Sequence, residues 1–193
     1  MSYDYSENIL VQGAAGDLLH DELGWDLVYA HNQETLGPNG MLGRTDYREV
    51  LLTKYLRPAL FRLNSWMTEA YADSVVKSLL ETSFSATPMQ TNELKYRLIT
   101  GGVPVDFRLP NGNLEKRLAR VIDFDNPAND HFLAVKEMKI HGTLYHRRAD
   151  IIGFVNGIPL LLIELKKMGV DVREAYDNNY HDYQHTIPQL FRF

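Results

Sequence analysis

Apolar positions change their period near the middle of the chain. In the first half they recur at helical spacing, and beyond about residue 100 they alternate or run together. Asn8 to Leu23 carries Ile9/Leu10, Ala14, Leu18/Leu19 and Leu23 on one face and stops at Gly24, which predicts a helix. Trp25 to Tyr29 reads as a short strand, and His31 to Gly43, with Gly37, Pro38 and Gly40, as a loop. Asp46 to Leu63 predicts a second helix that Pro58 should kink or divide. Glu69 to Leu80 and Thr91 to Ile99 predict two more. Val103 to Leu109 then alternates, and Asn111-Gly112 signals a hairpin. Strands are expected over Leu118 to Phe124, Phe132 to Ile140, Ala149 to Val155 and Leu160 to Lys166, and a last helix over Val172 to Tyr183. The fold class is therefore α/β: a central mixed, largely antiparallel sheet flanked by helices, with a helical N-terminal half, in one domain over residues 1–193.

Composition narrows the chemistry. A chain of 193 residues, 45% hydrophobic, can bury a core of its own. Its 20 Lys+Arg against 25 Asp+Glu give a formal charge of −5, which argues against a protein that coats nucleic acid by charge alone. A local basic stretch does exist, with Lys136, Lys139, Arg147 and Arg148 beside His131, His141 and His146. The absence of cysteine removes disulfides and thiolate metal sites. Met1 to Glu7 lacks the basic and apolar regions of a signal peptide, and the longest apolar run, Ile158 to Ile163, is too short to span a bilayer. A soluble cytoplasmic protein with no membrane partner is expected.

The stretch from Arg147 to Lys167 carries the chemistry. Asp150 heads one apolar strand, and Glu164 and Lys166, two apart, close the next. Two acids that can hold a divalent cation, with an ammonium beside them, suit metal-assisted phosphodiester hydrolysis. Strand alternation puts Glu164 and Lys166 on one face. A strict two-residue turn at Asn156-Gly157 would pair Val155 with Ile158 and set Asp150 opposite Ile163, which turns Glu164 away. Pro159 cannot donate to a ladder, so a break in register near it is expected, and with it Asp150 meets Glu164. The plainer reading is a solvated Glu-x-Lys ion pair. His181 and His185, four apart, read as surface histidines because no Glu lies between them. No Walker loop is present, so no ATP site is expected in this chain.

These residues resemble a known family. Phe154-Val155-Asn156-Gly157-Ile158-Pro159-Leu160 through Ile163-Glu164-Leu165-Lys166 is similar to the signature of the N-terminal nuclease domain of the restriction (motor) subunit of type I restriction-modification enzymes, within the PD-(D/E)xK nuclease superfamily. Leu51 to Asn64, Asn92 to Val103, Ile122-Asp123-Phe124 with Asn126-Pro127, and Ile187 to Phe191 extend the likeness over the chain from Gly24 onward. The resemblance implies that Asp150 and Glu164 hold metal, with Lys166 as the catalytic lysine. Tyr183 matches the tyrosine of a Gln-x-x-x-Tyr element, in which Asn179 stands at the glutamine and loses reach by one methylene. Gln12 stands where relatives carry a first-helix glutamate and supplies no charge.

Mg²⁺ suits such oxygen ligands, with the Leu165 carbonyl as a third. Arg147, Arg148 and Lys167 are expected to touch DNA phosphates without reading bases. The implied activity is endonucleolytic cleavage of foreign double-stranded DNA, within a complex that includes modification and specificity subunits. ATP would be used only in a motor region outside this chain. Two alternatives stay open: a catalytically silent docking or DNA-binding module of the same fold, and a stand-alone nuclease.

Overall fold

The computed structural model describes residues 12–83, 85–166 and 169–193. A four-stranded sheet, in the order β1-β4-β5-β6, forms the centre, and a separate two-stranded sheet pairs β2 with β3. The strands are β1 (Asp26–Tyr29), β2 (Val103–Arg108), β3 (Leu114–Ala119), β4 (Phe132–His141), β5 (His146–Val155) and β6 (Ile158–Ile163). β1 runs parallel to β4, while β4, β5 and β6 are antiparallel. The helices are α1 (Gly13–Asp17), continued by a π-helical turn over Leu18–Glu22, then α2 (Thr53–Leu63), α3 (Glu69–Leu80), α4 (Pro88–Gly101) and α5 (His181–Thr186). The mixed sheet and the helical first half agree with the expected class.

Several boundaries move, each for a local reason. α2 begins at Thr53 rather than Asp46. The stretch before it wraps around Arg44, which is buried and donates to the carbonyls of Glu49 (2.9 Å) and Lys139 (3.0 Å). Its guanidinium also grips Glu34 at 2.8 and 2.5 Å, so backbone that could have begun a helix instead satisfies a buried cation. Pro58 lies inside α2, which continues past it to Leu63. α4 begins at Pro88 because Thr87 and Gln90 form a reciprocal capping box. The strand expected over Leu118 to Phe124 lies earlier, at Leu114–Ala119. Val121 and Ile122 are buried in the core as a crossing segment, pinned by Asn64 to the N–H and C=O of Arg120 at 2.8 Å each. β6 ends at Ile163 instead of Lys166, and the last helix divides into a π-helical turn over Ala175–Tyr180 and α5.

Three apolar clusters hold these layers. One fills the space between α2, α3, α4 and the small sheet, with Leu56, Val75, Leu79, Val103 and Ile158. A second lies between one face of the large sheet and α5, with Val135, Ile152, Phe154 and Tyr183. A smaller one joins Leu19 to Ala134 and Ile151 on the opposite face. Burial of this kind, at about 25 cal/mol per Å² of apolar surface, supplies most of the folding drive.

The β5–β6 hairpin turns at Asn156 (φ 49°) and Gly157 (φ 80°), and two left-handed residues in a two-residue loop make a type I′ turn. Leu52 donates to the Gly157 carbonyl at 2.8 Å, and a Cβ on Gly157 would stand 2.3 Å from the Leu52 oxygen. The Asn156 side chain is buried. It accepts from His131 N–H (2.8 Å) and donates to the Val121 carbonyl (2.9 Å) and to Asp130 (2.6 Å). Asn156→Ala removes these bonds together and leaves buried groups without partners. A loss of about 3 kcal/mol is expected from urea denaturation. A loss below about 1 kcal/mol would show that the turn does not depend on this side chain.

Candidate metal and hydrolytic site

The hairpin pairs Val155 with Ile158 and Phe154 with Pro159, then Gly153 with Leu161. Leu160 is the extra residue, so the register breaks where Pro159 has no N–H to lose. Beyond the break Ile151 pairs with Ile163, and the next rung sets Asp150 beside Glu164. Gly153 admits the close approach at the bulge, since a Cβ there would meet Trp25 at 2.7 Å and Leu161 at 3.0 Å.

Asp150 and Glu164 meet where β6 ends, midway along β5. The Asp150 N–H lies 3.4 Å from Glu164 Oε1. Asp150 Oδ2 accepts the Leu165 N–H at 2.8 Å, and its Oδ1 accepts from Gln12 Nε2 at 2.7 Å. Glu164 Oε2 accepts from Asn179 Nδ2 at 2.8 Å. The shorter amide therefore does reach the carboxylate. It is carried by a π-helical turn, which widens the backbone there. The Tyr183 hydroxyl donates to the Arg148 carbonyl at 3.1 Å and also faces Glu164. Its one hydrogen can serve only one of the two.

The electrostatics follow from burial. Removal from water raises the Glu164 pKa, the Asp150 charge raises it further, and the Asn179 amide pulls it back. Burial first, and then Glu164, hold Tyr183 protonated well past the usual phenol range. Among the described residues, Gln12, Asn179 and the Leu165 N–H bond the pair as neutral donors. Two adjacent carboxylates with hard oxygen donors fit Mg²⁺. Among the described residues no group of three or more His, Asp or Glu side chains is disposed to hold a metal. Further ligands would thus be the Leu165 carbonyl, the Gln12 amide oxygen and water.

The remaining expected residues are placed less centrally. Lys166 is half-buried, beyond the end of β6. Lys167 lies outside the described residues. Arg147 forks onto Asp182, with Nη2 to Oδ1 at 2.9 Å, and this pairing raises the arginine pKa and lowers that of the aspartate. The Arg148 guanidinium turns to Glu137, 3.8 Å away. Both arginines that were expected on DNA phosphates therefore have a carboxylate neighbour. His181 stacks edge-on against Tyr176 and Tyr180, and the His185 ring contacts the His181 carbonyl. Glu137, the one acid within the local basic stretch, showed no role in the sequence because its neighbours read as a plain strand.

The architecture and this site define an α/β, nuclease-like domain with an acidic pair where β6 leaves the sheet. Residues 4–193 match the family model described as "Type I restriction enzyme R protein N terminus", and the chain belongs to that family. It is similar to the HindI endonuclease subunit of Haemophilus influenzae, at 33% identity over 88% of this chain and 16% of that protein. It is also similar to the putative MjaIXP endonuclease subunit of Methanocaldococcus jannaschii, at 28% identity over 97% and 18%. A type I subunit from Escherichia coli, EcoprrI, is 36% identical over 40% of this chain and 24% of that protein. The chain thus spans 16% and 18% of the length of the first two relatives. No helix among the described residues is long and apolar enough to cross a membrane.

The Asn179 bond predicts a titration. Because the folded Glu164 pKa is raised, its contribution to stability is present below the unfolded value of about 4.3 and is lost as pH rises through the folded one. Asn179→Ala removes a group that favours the ionised form, so the Glu164 midpoint should move further up in a ¹³C carboxyl titration. An unmoved or lowered midpoint would contradict the contact.

Proposed function

We propose that this chain is the Mg²⁺-dependent endonuclease domain of a type I restriction enzyme, a PD-(D/E)xK nuclease that hydrolyses phosphodiester bonds of unmodified foreign DNA. The observation that carries the reading is the meeting of Asp150 with Glu164 across a bulged hairpin. Asp150 and Glu164, with the Leu165 carbonyl, would hold the ion. When bound, the ion supplies charge against the scissile phosphate and a more acidic water. Asn179 holds Glu164 in place, with the Tyr183 hydroxyl facing it from the Arg148 carbonyl, and Gln12 and the Leu165 N–H hold Asp150. Lys166 orients the attacking water and offsets charge as it builds in the transition state.

Arg147, Arg148 and Lys167 meet the phosphates of double-stranded DNA. For the two arginines this means exchanging or sharing an internal carboxylate. The whole chain forms one domain, the N-terminal part of a longer ATP-dependent motor subunit that works in the cytoplasm with modification and specificity subunits. The lengths of the relatives support that assignment.

Plasmid cleavage by the assembled complex is the test. Asp150→Ala and Lys166→Ala should each lower cutting by about 100-fold or more, with ATP hydrolysis retained. Undiminished cutting would remove the reading. A silent docking module of the same fold is favoured only by Gln12, which brings no charge to the pair. It would give no Mn²⁺ binding heat that Glu164→Ala abolishes.

A further inference from the structure

Glu137 is buried, with 2% of its surface exposed, yet its backbone is left-handed at φ 52°, a conformation that suits glycine. It stands in the middle of β4, where no turn requires it. Side-chain alternation slips at this residue. Leu133 and Val135, then Met138 and Ile140, all enter the same apolar cluster. β5 slips at the same rung, since Ala149, Ile152 and Phe154 share that cluster too. The strand pairs run from Lys136–Ile151 to Met138–Ala149 and pass over Glu137 and Asp150, which stand opposite one another. The first metal-holding acid thus sits at a break in β5 whose counterpart in β4 is a strained, buried glutamate.

The glutamate ties three strands together at that level. Its Oε2 accepts from the Tyr29 hydroxyl at 3.2 Å and lies 3.1 Å from His31 Nδ1 and 3.8 Å from Arg148 Nη1. Arg148 Nη1 is also 2.5 Å from His31 Nδ1. That nitrogen cannot both accept from the arginine and donate to the carboxylate. Tyr29 ends β1 and His31 follows it, whereas Arg148 belongs to β5, two residues before Asp150. The Arg148 carbonyl in turn accepts from Tyr183.

We propose that Glu137 is a positioning residue for Asp150: its carboxylate, tied to Tyr29, His31 and Arg148, holds the paired break in β4 and β5 that keeps Asp150 turned to Glu164. The inference rests on the nuclease reading for its consequence in cleavage, and on geometry alone for the orientation of Asp150. A side chain kept only for stability would be better replaced at this φ by glycine, which relieves the backbone and removes a buried charge.

The reporter is the Leu165 N–H, which bonds Asp150 Oδ2 and needs no metal. Hydrogen exchange at single-residue resolution on the 193-residue chain reads it. Glu137→Gly should speed exchange at Leu165 by about 10-fold or more, while amides of Ala134 and Ile152 in the sheet centre keep their wild-type rates. Glu137→Gln keeps the reach to Tyr29 but loses the charge, and should fall between. Mn²⁺ affinity by calorimetry should drop at least tenfold in Glu137→Gly and recover in part in Glu137→Gln. Wild-type exchange at Leu165 in folded Glu137→Gly overturns the proposal. If that variant unfolds, wild-type exchange in Glu137→Gln overturns it. Faster Leu165 exchange in a chain that binds no Mn²⁺ would uphold the positioning role and remove the metal reading.

Discussion

A two-residue turn with both residues left-handed fixes parity in the hairpin that follows. With Val155 held against Ile158, regular pairing would send Glu164 to the opposite face from Asp150. One extra residue, Leu160, reverses that parity. The break falls next to Pro159, where the ladder has no donor to lose, so the cost is small. Gly153 across from it leaves room for Trp25 and Leu161. The approach of Asp150 N–H to Glu164 and the bond from Asn179 to Glu164 both depend on this slip.

Much of this was legible in the sequence, and the part that was not has identifiable physical causes. Glu69–Leu80 came out with its expected bounds because its apolar period and the Thr68 cap agree. The bulge near Pro159 could be anticipated because proline chemistry and strand parity are both local. The early start of the helix expected from Asp46 was wrong because Arg44, a buried cation, claims the nearby carbonyls, and no local pattern announces that. The strand expected from Leu118 starts instead at Leu114, because β3 pairs only with β2 and its charged, largely exposed residues before Ala119 show no apolar side. Val121 and Ile122 misled in the opposite sense, since they are buried without being paired. Glu137 was invisible for a third reason. Backbone handedness leaves no mark in a run of Val, Lys, Glu and Met.

Irregular backbone gathers around the acidic pair. Gln12 borders α1, which passes into a π-helical turn, and Asn179 rides on another. β6 bulges at Leu160, and β4 and β5 slip together at Glu137 and Asp150. Each irregularity costs stability where it occurs, and the three apolar clusters supply the surplus that tolerates it. Among the described residues, neutral amides from Gln12 and Asn179 bond the two carboxylates, and a phenol that stays protonated faces Glu164. Such an arrangement suits a cation better than it suits folding alone.

Crystals of the chain grown with Mn²⁺, with anomalous scattering measured at the manganese edge, test the central claim most directly. A single strong anomalous peak within about 2.3 Å of oxygens from both Asp150 and Glu164 is the expected result. A peak bound elsewhere, or a fully occupied lattice with no peak at the pair, would contradict it.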